Sequence, residues 1–249
     1  MAEDTIEGRN TVLEALRSGG RPLHKIYMLA GKKSGPLREI QRLAQKKGID
    51  LEEVGRGRLN QLAITRNHQG VIALAAAKEY VELATILNLA RERREDPFLL
   101  ILDGIEDPHN LGALLRSAEG AGVHGVVIPK RRAAQLTAAV GRASAGAMEY
   151  MAVAQVTNLT RAIKELQEQG IWVAGAHPQG EKLYTDADLT GPIAIVIGAE
   201  GRGIRRLIKE NCDFLLSLPM KGRISSLNAS VAGSLFMYEV VRQRALREG

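Results

Sequence analysis

The sequence predicts an α/β chain in two parts, a small α/β unit followed by a parallel sheet covered by helices on both faces. Three observations carry this. Apolar runs of strand length alternate with helical patterns along the chain. In the second part those runs are apolar throughout, as strands buried on both faces are. The β-then-α rhythm breaks over a polar stretch at residues 78–97 and restarts after Pro97.

The elements follow in order. "NTVLEALRSGG" places Val12, Leu13 and Leu16 at helical spacing and closes on Gly19-Gly20. "LHKIYML" reads as a strand, "PLREIQRLAQKKG" as an amphipathic helix ending at Gly48, and "IDLEEVG" as a short strand. "GRLNQLA" is a helix and "GVIALAA" the last strand of a unit ending at Ala77. Residues 78–97 read as a polar helical connector. Residues 98–249 supply strands at "FLLILDG", "GVVIP", "MAVAQV", "IWVAGA", "IAIVIG" and "FLLSLP". Helices are expected at "NLGALLRSAEGAG", "LTAAVGRASAGA", "NLTRAIKELQEQG", "IRRLIKENC" and the C-terminal stretch.

The chain has 249 residues, 45% of them hydrophobic, enough for one large domain or two modest ones. No run reaches the 18 or so apolar residues of a membrane span, and "MAEDTIEGRN" lacks a secretory layout. The single Cys212 provides neither a disulfide framework nor a zinc spacing, so a cytoplasmic setting and no metal are expected. Net charge is +6, and residues 1–77 hold 13 Lys/Arg against 8 Asp/Glu. A basic arm on a nearly balanced body suits a polyanionic partner.

Three turns carry chemistry. In "DGIEDPHNLGALLRSAEGAG" a strand ends at Asp103-Gly104 and Asn110 is a good helix N-cap. Leu111, Leu114, Leu115 and Ala118 then face the core. Arg116 lies off that stripe, about 9 Å along the axis from Asn110, which a solvated surface arginine would also do. In "AIVIGAEGRGI" the glycines run G-x-x-G-x-G (Gly198, Gly201, Gly203), not in the dinucleotide order, and follow a late strand. Glu200 inside that turn disfavours a phosphate and suits a cation such as a sulfonium. In "LPMKGRISSLNASVAG" a strand ends at Leu218-Pro219 and Asn228 opens the last helix. Leu218, Met220 and Leu227 offer apolar walls, and loop amides and carbonyls can read an adenine edge. That helix starts on Ser226, Ala229, Ser230, Ala232, Gly233 and Ser234, almost bare backbone, as if something lies against it.

Together these stretches resemble the three motifs of the SpoU (TrmH-type) RNA ribose 2′-O-methyltransferases of the SPOUT superfamily, over residues 98–249. Residues 6–19 ("IEGRNTVLEALRSG") and 67–75 ("NHQGVIALA") resemble the substrate-binding domain of the branch that methylates a guanosine ribose in 23S ribosomal RNA. The resemblance implies S-adenosylmethionine as methyl donor, a homodimer through the catalytic domain, and a C-terminal trefoil knot, a rare topology. A knot would explain the thin side chains at the start of the last helix. Arg116 would activate the ribose oxygen, with Asn110, Glu200 and Asn228 ordering the site. Gly198, Gly201, Leu218, Met220, Ser226, Leu227 and Asn228 would hold the cofactor.

A guanidinium is a poor base, so either a phosphate helps to take the proton or Arg116 orients the nucleotide and stabilises the alkoxide. With 4% aromatic residues, RNA would be held by charge and shape rather than by a stacking platform. Candidate RNA contacts are Arg9, Arg56, Arg58 and Arg66, with Lys130, Arg131 and Arg132, although each taken alone reads more readily as a solvated surface charge. Rival readings are a transfer RNA ribose as substrate, a nucleotide-dependent oxidoreductase, and a non-catalytic RNA-binding protein. The glycine order and Glu200 weigh against the oxidoreductase.

Overall fold

The structure, a computed structural model, describes residues 3–31, 35–65 and 67–248. In chain order the elements are β1 (Glu3–Glu7), α1 (Arg9–Ser18), β2 (Leu23–Leu29), α2 (Gly35–Lys47), β3 (Asp50–Val54), α3 (Arg56–Leu62) and β4 (Val71–Ala76). Next come α4 (Leu83–Arg93), β5 (Phe98–Asp103), α5 (Pro108–Gly120), β6 (Gly125–Pro129), α6 (Ala138–Ala143), β7 (Val153–Val156) and α7 (Leu159–Glu168). The chain finishes with β8 (Trp172–Ala176), β9 (Lys182–Leu183), β10 (Ile193–Gly198), α8 (Arg206–Lys209), β11 (Phe214–Ser217) and α9 (Ala229–Glu248). It divides into two units, Met1–Glu79 with Gln135–Tyr150, and Tyr80–Ala134 with Met151–Gly249.

The first unit carries a mixed four-stranded sheet in the order β1-β4-β2-β3, in which only the β2–β3 pair is parallel. The apolar stripes of α1 (Val12, Leu16) and α2 (Ile40, Ala44) pack with Ile26, Met28, Val71 and Ala73 of the sheet. Leu59 of α3 forms a smaller cluster with Ile72 and Val54. The sequence pattern did not show β1. It is an edge strand whose acidic residues are engaged inward, Glu7 being buried and Asp4 accepting from Arg21.

Residues 135–150 join this unit although they follow β6 of the other. The expected 136–147 helix is only α6, followed by a short 3₁₀ turn at Ala147–Glu149. Gly146, at φ 94°, ends the run, and a Cβ there would lie 2.7 Å from Cβ of Glu14. The segment is fastened by charge. Arg21 donates from Nε and Nη2 to both carboxylate oxygens of Glu149 (2.9 and 2.8 Å), and from Nη1 to Asp4 (2.7 Å) and the Ala76 carbonyl (3.0 Å). The Arg21 and Glu149 side chains are 4% and 0% exposed. Lys78 donates to the Glu149 carbonyl at 3.0 Å.

The second unit is built on a seven-stranded sheet, β7-β6-β5-β10-β8-β11-β9, parallel at every pairing. The all-apolar runs become its central strands: β5 and β6 are buried throughout, and β10 at all but its last residue. Leu99, Ile101, Val127, Val173 and Val196 pack with Leu159, Ile163 and Leu166 of α7. The stretch expected as a polar connector instead contributes core. Leu83, Ile86, Leu87 and Ala90 make a buried stripe on α4, with the charges confined to its outer face and end. Gly125 lets Ile86 sit over β6, since a Cβ there would lie 2.5 Å from Ile86 Cδ1. α8 is shorter than the expected 204–212 helix, and β9 is a two-residue strand with no pattern of its own.

From β5 the chain steps outward through β6 and β7, crosses to β8 on the other side, and later places β10 between β5 and β8 before stepping out to β11. Between β5 and β10 the winding reverses, and the carboxyl ends of strands at such a switch are where open parallel sheets bind ligands.

Removing one partner of the Arg21–Glu149 pair leaves a buried charge uncompensated, at a cost of roughly 3–5 kcal/mol. Arg21→Ala and Glu149→Ala should each lower the free energy of urea unfolding by about that much. A double replacement with apolar residues of similar volume should recover most of the loss.

Candidate active site at the carboxyl ends of the sheet

α5 begins earlier than the sequence indicates. Its N-cap is Asp107, whose carboxylate accepts from the amides of His109 and Asn110 (3.1 and 3.4 Å), with Pro108 at the first helical position. This corrects the assignment of the cap to Asn110 and leaves the Asn110 side chain available. Its Oδ1 accepts from Asn228 Nδ2 at 2.9 Å, and the same amide donates to Glu200 Oε1 at 2.5 Å. Asn228 Oδ1 accepts from the amides of Ser230 and Val231 (2.9 and 3.3 Å) and from the Ser230 hydroxyl (2.6 Å), so Asn228 also caps α9, as expected. One residue from each of the three turns thus meets in a single hydrogen-bonded set, although Asn110 and Asn228 stand 118 positions apart.

The turn after β10 is held from both sides. Gly198 is in register with Asp103 on β5. The Asp103 side chain is fully buried and accepts from the Arg205 amide, Nε and Nη2, each at 2.7 Å. Within the turn the Gly203 amide donates to the Ala199 carbonyl at 2.7 Å, and both Gly201 and Gly203 take positive φ (73° and 66°). The backbone folds back so closely that a Cβ on Gly198 would lie 2.1 Å from the Gly203 carbonyl carbon. Sequence reasoning missed Asp103 and Arg205; an aspartate at the end of a buried strand was the available signal.

Two cavities flank this turn. The larger, about 430 Å³, lies beyond β8, β10 and β11. Gly198, Gly201, Leu218, Met220, Ser226 and Leu227 line it, six of the seven residues expected around a cofactor, together with Ile197, His177 and Phe236. Asn228, the seventh, is not part of that lining and belongs to the hydrogen-bonded set. The small residues of α9 divide by role. Ala229 and Ala232 face the cavity. A Cβ on Gly233 would lie 2.5 Å from Leu114 Cδ2, so Gly233 lets α9 pack on α5, where Ser234 donates to Ser117 at 2.8 Å. Burial, then the charge of Lys209, hold His177 below the ordinary imidazole value, so it faces the cavity uncharged at neutral pH. The Cys212 thiol is pushed up to about 12, by burial and then by Asp213 and Asp103, which removes it as a nucleophile. The smaller cavity, about 280 Å³, lies against the end of β5 and the other side of the turn.

Arg116 lines neither cavity. It is exposed on α5, and no ion pair joins it to the described residues. Lys130, Arg131 and Arg132 are exposed after β6, with Arg132 on the rim of the smaller cavity. In the first unit Arg56 and Arg58 are exposed on α3, while Arg9 donates from Nε to the Gln69 carbonyl at 2.9 Å. Arg66 lies outside the described residues. Among those residues no group of three or more His, Cys, Asp or Glu could hold a metal ion, and no helix is long and apolar enough to cross a membrane.

Comparison with known proteins gives the family and the fold. Residues 97–238 match the SpoU rRNA methylase family, and residues 5–81 match the RNA 2′-O ribose methyltransferase substrate-binding domain. The chain is 49% identical, over 97% of its own length and 96% of the other's, to YacO of Bacillus subtilis (strain 168), assigned by its name to the TrmH family of tRNA/rRNA methyltransferases. Among solved structures it is similar to the SpoU methyltransferase AviRb from Streptomyces viridochromogenes in complex with AdoMet. That likeness has a TM-score of 0.81 and 25% identity, over 98% of this chain and 91% of that one. A structure described as an RNA 2′-O ribose methyltransferase gives a TM-score of 0.78 and 29% identity over 98% and 89%.

The tight turn gives a prediction. Gly198→Ala forces backbone apart and should cost about 1–3 kcal/mol in urea unfolding. Gly222→Ala, with nothing within 4 Å of the added methyl, should stay within about 0.5 kcal/mol of the wild type.

Proposed function

Because the chain belongs to the SpoU rRNA methylase family, we propose that it transfers a methyl group from S-adenosylmethionine to a ribose 2′-hydroxyl of RNA, with a guanosine of 23S ribosomal RNA as target. The observation that carries this is the joining of Asn110, Glu200 and Asn228 beside the cavity that Gly198, Leu218 and Leu227 line. The cofactor supplies an electrophilic methyl on a sulfonium. The residues present suit it: Leu218, Met220, Leu227 and Phe236 give apolar walls, the loop backbone is free of side chains at Gly198 and Gly201, and Glu200 sits close by as a negative charge. The similar AviRb was solved in complex with AdoMet, the same cofactor.

Methyl transfer to a hydroxyl is chiefly a positioning problem, and it ends with a proton to remove. Asn110 and Asn228 fix the edge of the site, and Glu200 is oriented by the Asn228 amide rather than left to rotate. Arg116 orients the acceptor and stabilises charge developing on its oxygen.

Arg116 does this as a residue of a homodimer. On its own chain it stands away from both cavities, while α9 exposes Val231, Leu235, Tyr238 and Leu246 along one side (49%, 41%, 51% and 70%). An apolar stripe of this kind is a surface for a second copy. Pairing there would present Arg116 of the partner subunit to the cavity. Threading of the C-terminal segment into a knot belongs to the same reading. The protein would act in the cytoplasm, during ribosome maturation. The basic first unit favours a large RNA. A transfer RNA ribose is the second reading, supported by the tRNA/rRNA designation of the Bacillus subtilis relative.

Arg116→Ala should reduce tritiated-methyl transfer at least about 100-fold, with cofactor affinity unchanged by calorimetry. Transfer near the wild-type rate would remove the assignment. Ribose-methylation mapping in cells lacking the protein should show one 23S guanosine unmodified, whereas loss at a transfer RNA position would favour the second reading.

A further inference from the structure

The turn after β8 brings Ala176, His177, Pro178 and Gln179 into the lining of the larger cavity, on the side of β10 away from β5. Backbone ties fix this turn. Ala176 is in register with Leu216 on β11, the His177 amide donates to the Leu216 carbonyl at 2.9 Å, and the Gly180 amide donates to the His177 carbonyl at 3.0 Å. Gly180 packs so closely on β11 that a Cβ there would lie 2.5 Å from the Leu216 carbonyl carbon. The ring is held as well, since Nδ1 accepts from the Gln179 amide at 3.1 Å. With Nδ1 an acceptor, the proton of the neutral imidazole is on Nε2, and that N–H has no partner among the described residues.

The charges around the cavity divide between its two ends. The titratable side chains in the lining are Glu200, Arg202 and His177. Glu200 belongs to the hydrogen-bonded set with Asn228 and Asn110, at the edge nearer β5. At the β8 end the charge that acts on His177 is Lys209, which is half-buried and joined by no ion pair to the described residues. The acids of that end are engaged or lie outside the lining. Glu210 pairs with Arg206, Asp213 accepts from the Val173 amide and from Gln167, and Glu181 is exposed. S-adenosylmethionine carries two cations, the sulfonium and the ammonium, and one anion, the methionyl carboxylate. Glu200 suits the sulfonium, and an unused N–H under the positive field of Lys209 suits the carboxylate.

We infer that His177 binds the methionyl carboxylate of the cofactor through its Nε2–H, at the β8 end of the cavity, and so sets which way round the cofactor lies. The inference rests on the methyltransferase reading and adds to it a cofactor contact from the turn after β8. The adenosyl group keeps the apolar walls of Leu218, Met220 and Leu227, and the sulfonium keeps the Glu200 edge. A bond to the carboxylate is made in ground and transition state alike, so its loss weakens cofactor binding and leaves kcat.

The test is calorimetric titration of the wild type, His177→Ala and His177→Gln with S-adenosylmethionine and with its decarboxylated form, which differs only in lacking the carboxylate. His177→Ala should raise the Kd for S-adenosylmethionine about tenfold and change that for the decarboxylated form less than about twofold. His177→Gln keeps an N–H donor and should bind S-adenosylmethionine within about threefold of the wild type. In methyl transfer at saturating cofactor, kcat should change less than about twofold in both variants. Binding of the decarboxylated form also reports that each variant has kept its pocket. An unchanged Kd for S-adenosylmethionine in His177→Ala would overturn the inference. Equal losses for the two ligands would overturn it too, because the ring would then be shaping the pocket or meeting the nucleoside. A wild type that binds neither ligand would fail the functional reading itself, and this inference with it.

Discussion

The turn from Gly198 to Arg205 is the element on which the site depends. Its beginning is fixed by pairing with β5, its end by the buried Asp103 carboxylate, and its middle by the Glu200–Asn228 hydrogen bond to the start of α9. Each tie reaches a different part of the chain, so the turn cannot shift without disturbing the sheet, the helix cap, or both. Because the same turn walls both cavities, its rigidity sets the spacing between what occupies one and what occupies the other. Methyl transfer requires that kind of control, since the reacting atoms must be held in line at near-contact distance.

A similar economy governs α9. Its first turns must face a cavity, cap themselves through Asn228, and pack on α5, and bulky side chains would obstruct each task. Alanine, serine and glycine satisfy all three, and the large side chains begin only at Leu235 and Phe236. The first unit depends on a different device. It receives the 135–150 segment through a desolvated charge network centred on Arg21, not through apolar area alone. Such a network is a weak source of net stability but a strong discriminator of register, because any misplacement leaves a buried charge unpaired.

The strands of the second unit were legible because burial on both faces makes them uniformly apolar, and the three motif turns because glycine and asparagine mark constrained backbone. What was not legible depended on partners far away in sequence. The stretch from Lys78 to Pro97 looked polar because charged residues flank α4 on both sides, and only the stripe from Leu83 to Ala90 shows that one face is buried. The cap of α5 was misplaced because Asp107 and Asn110 are both good caps, and the choice is decided by Asn110 meeting Asn228. Asp103 read as the end of a strand, since its partner Arg205 is 102 residues away. The role given to Arg116 came from resemblance. On this chain it is exposed on α5 and lines neither cavity, and no local pattern separates such an arginine from a solvated one.

In the proposed reaction the turn after β10 walls the cavity that holds the cofactor. A crystal structure of the protein grown with S-adenosylmethionine tests it most directly. The account predicts the adenosyl group against Leu218 and Leu227, the backbone of Gly198 beside it, and the Asn110–Asn228–Glu200 hydrogen bonds intact. Cofactor density on the β5 side of the turn, or at a surface apart from these residues, would contradict it.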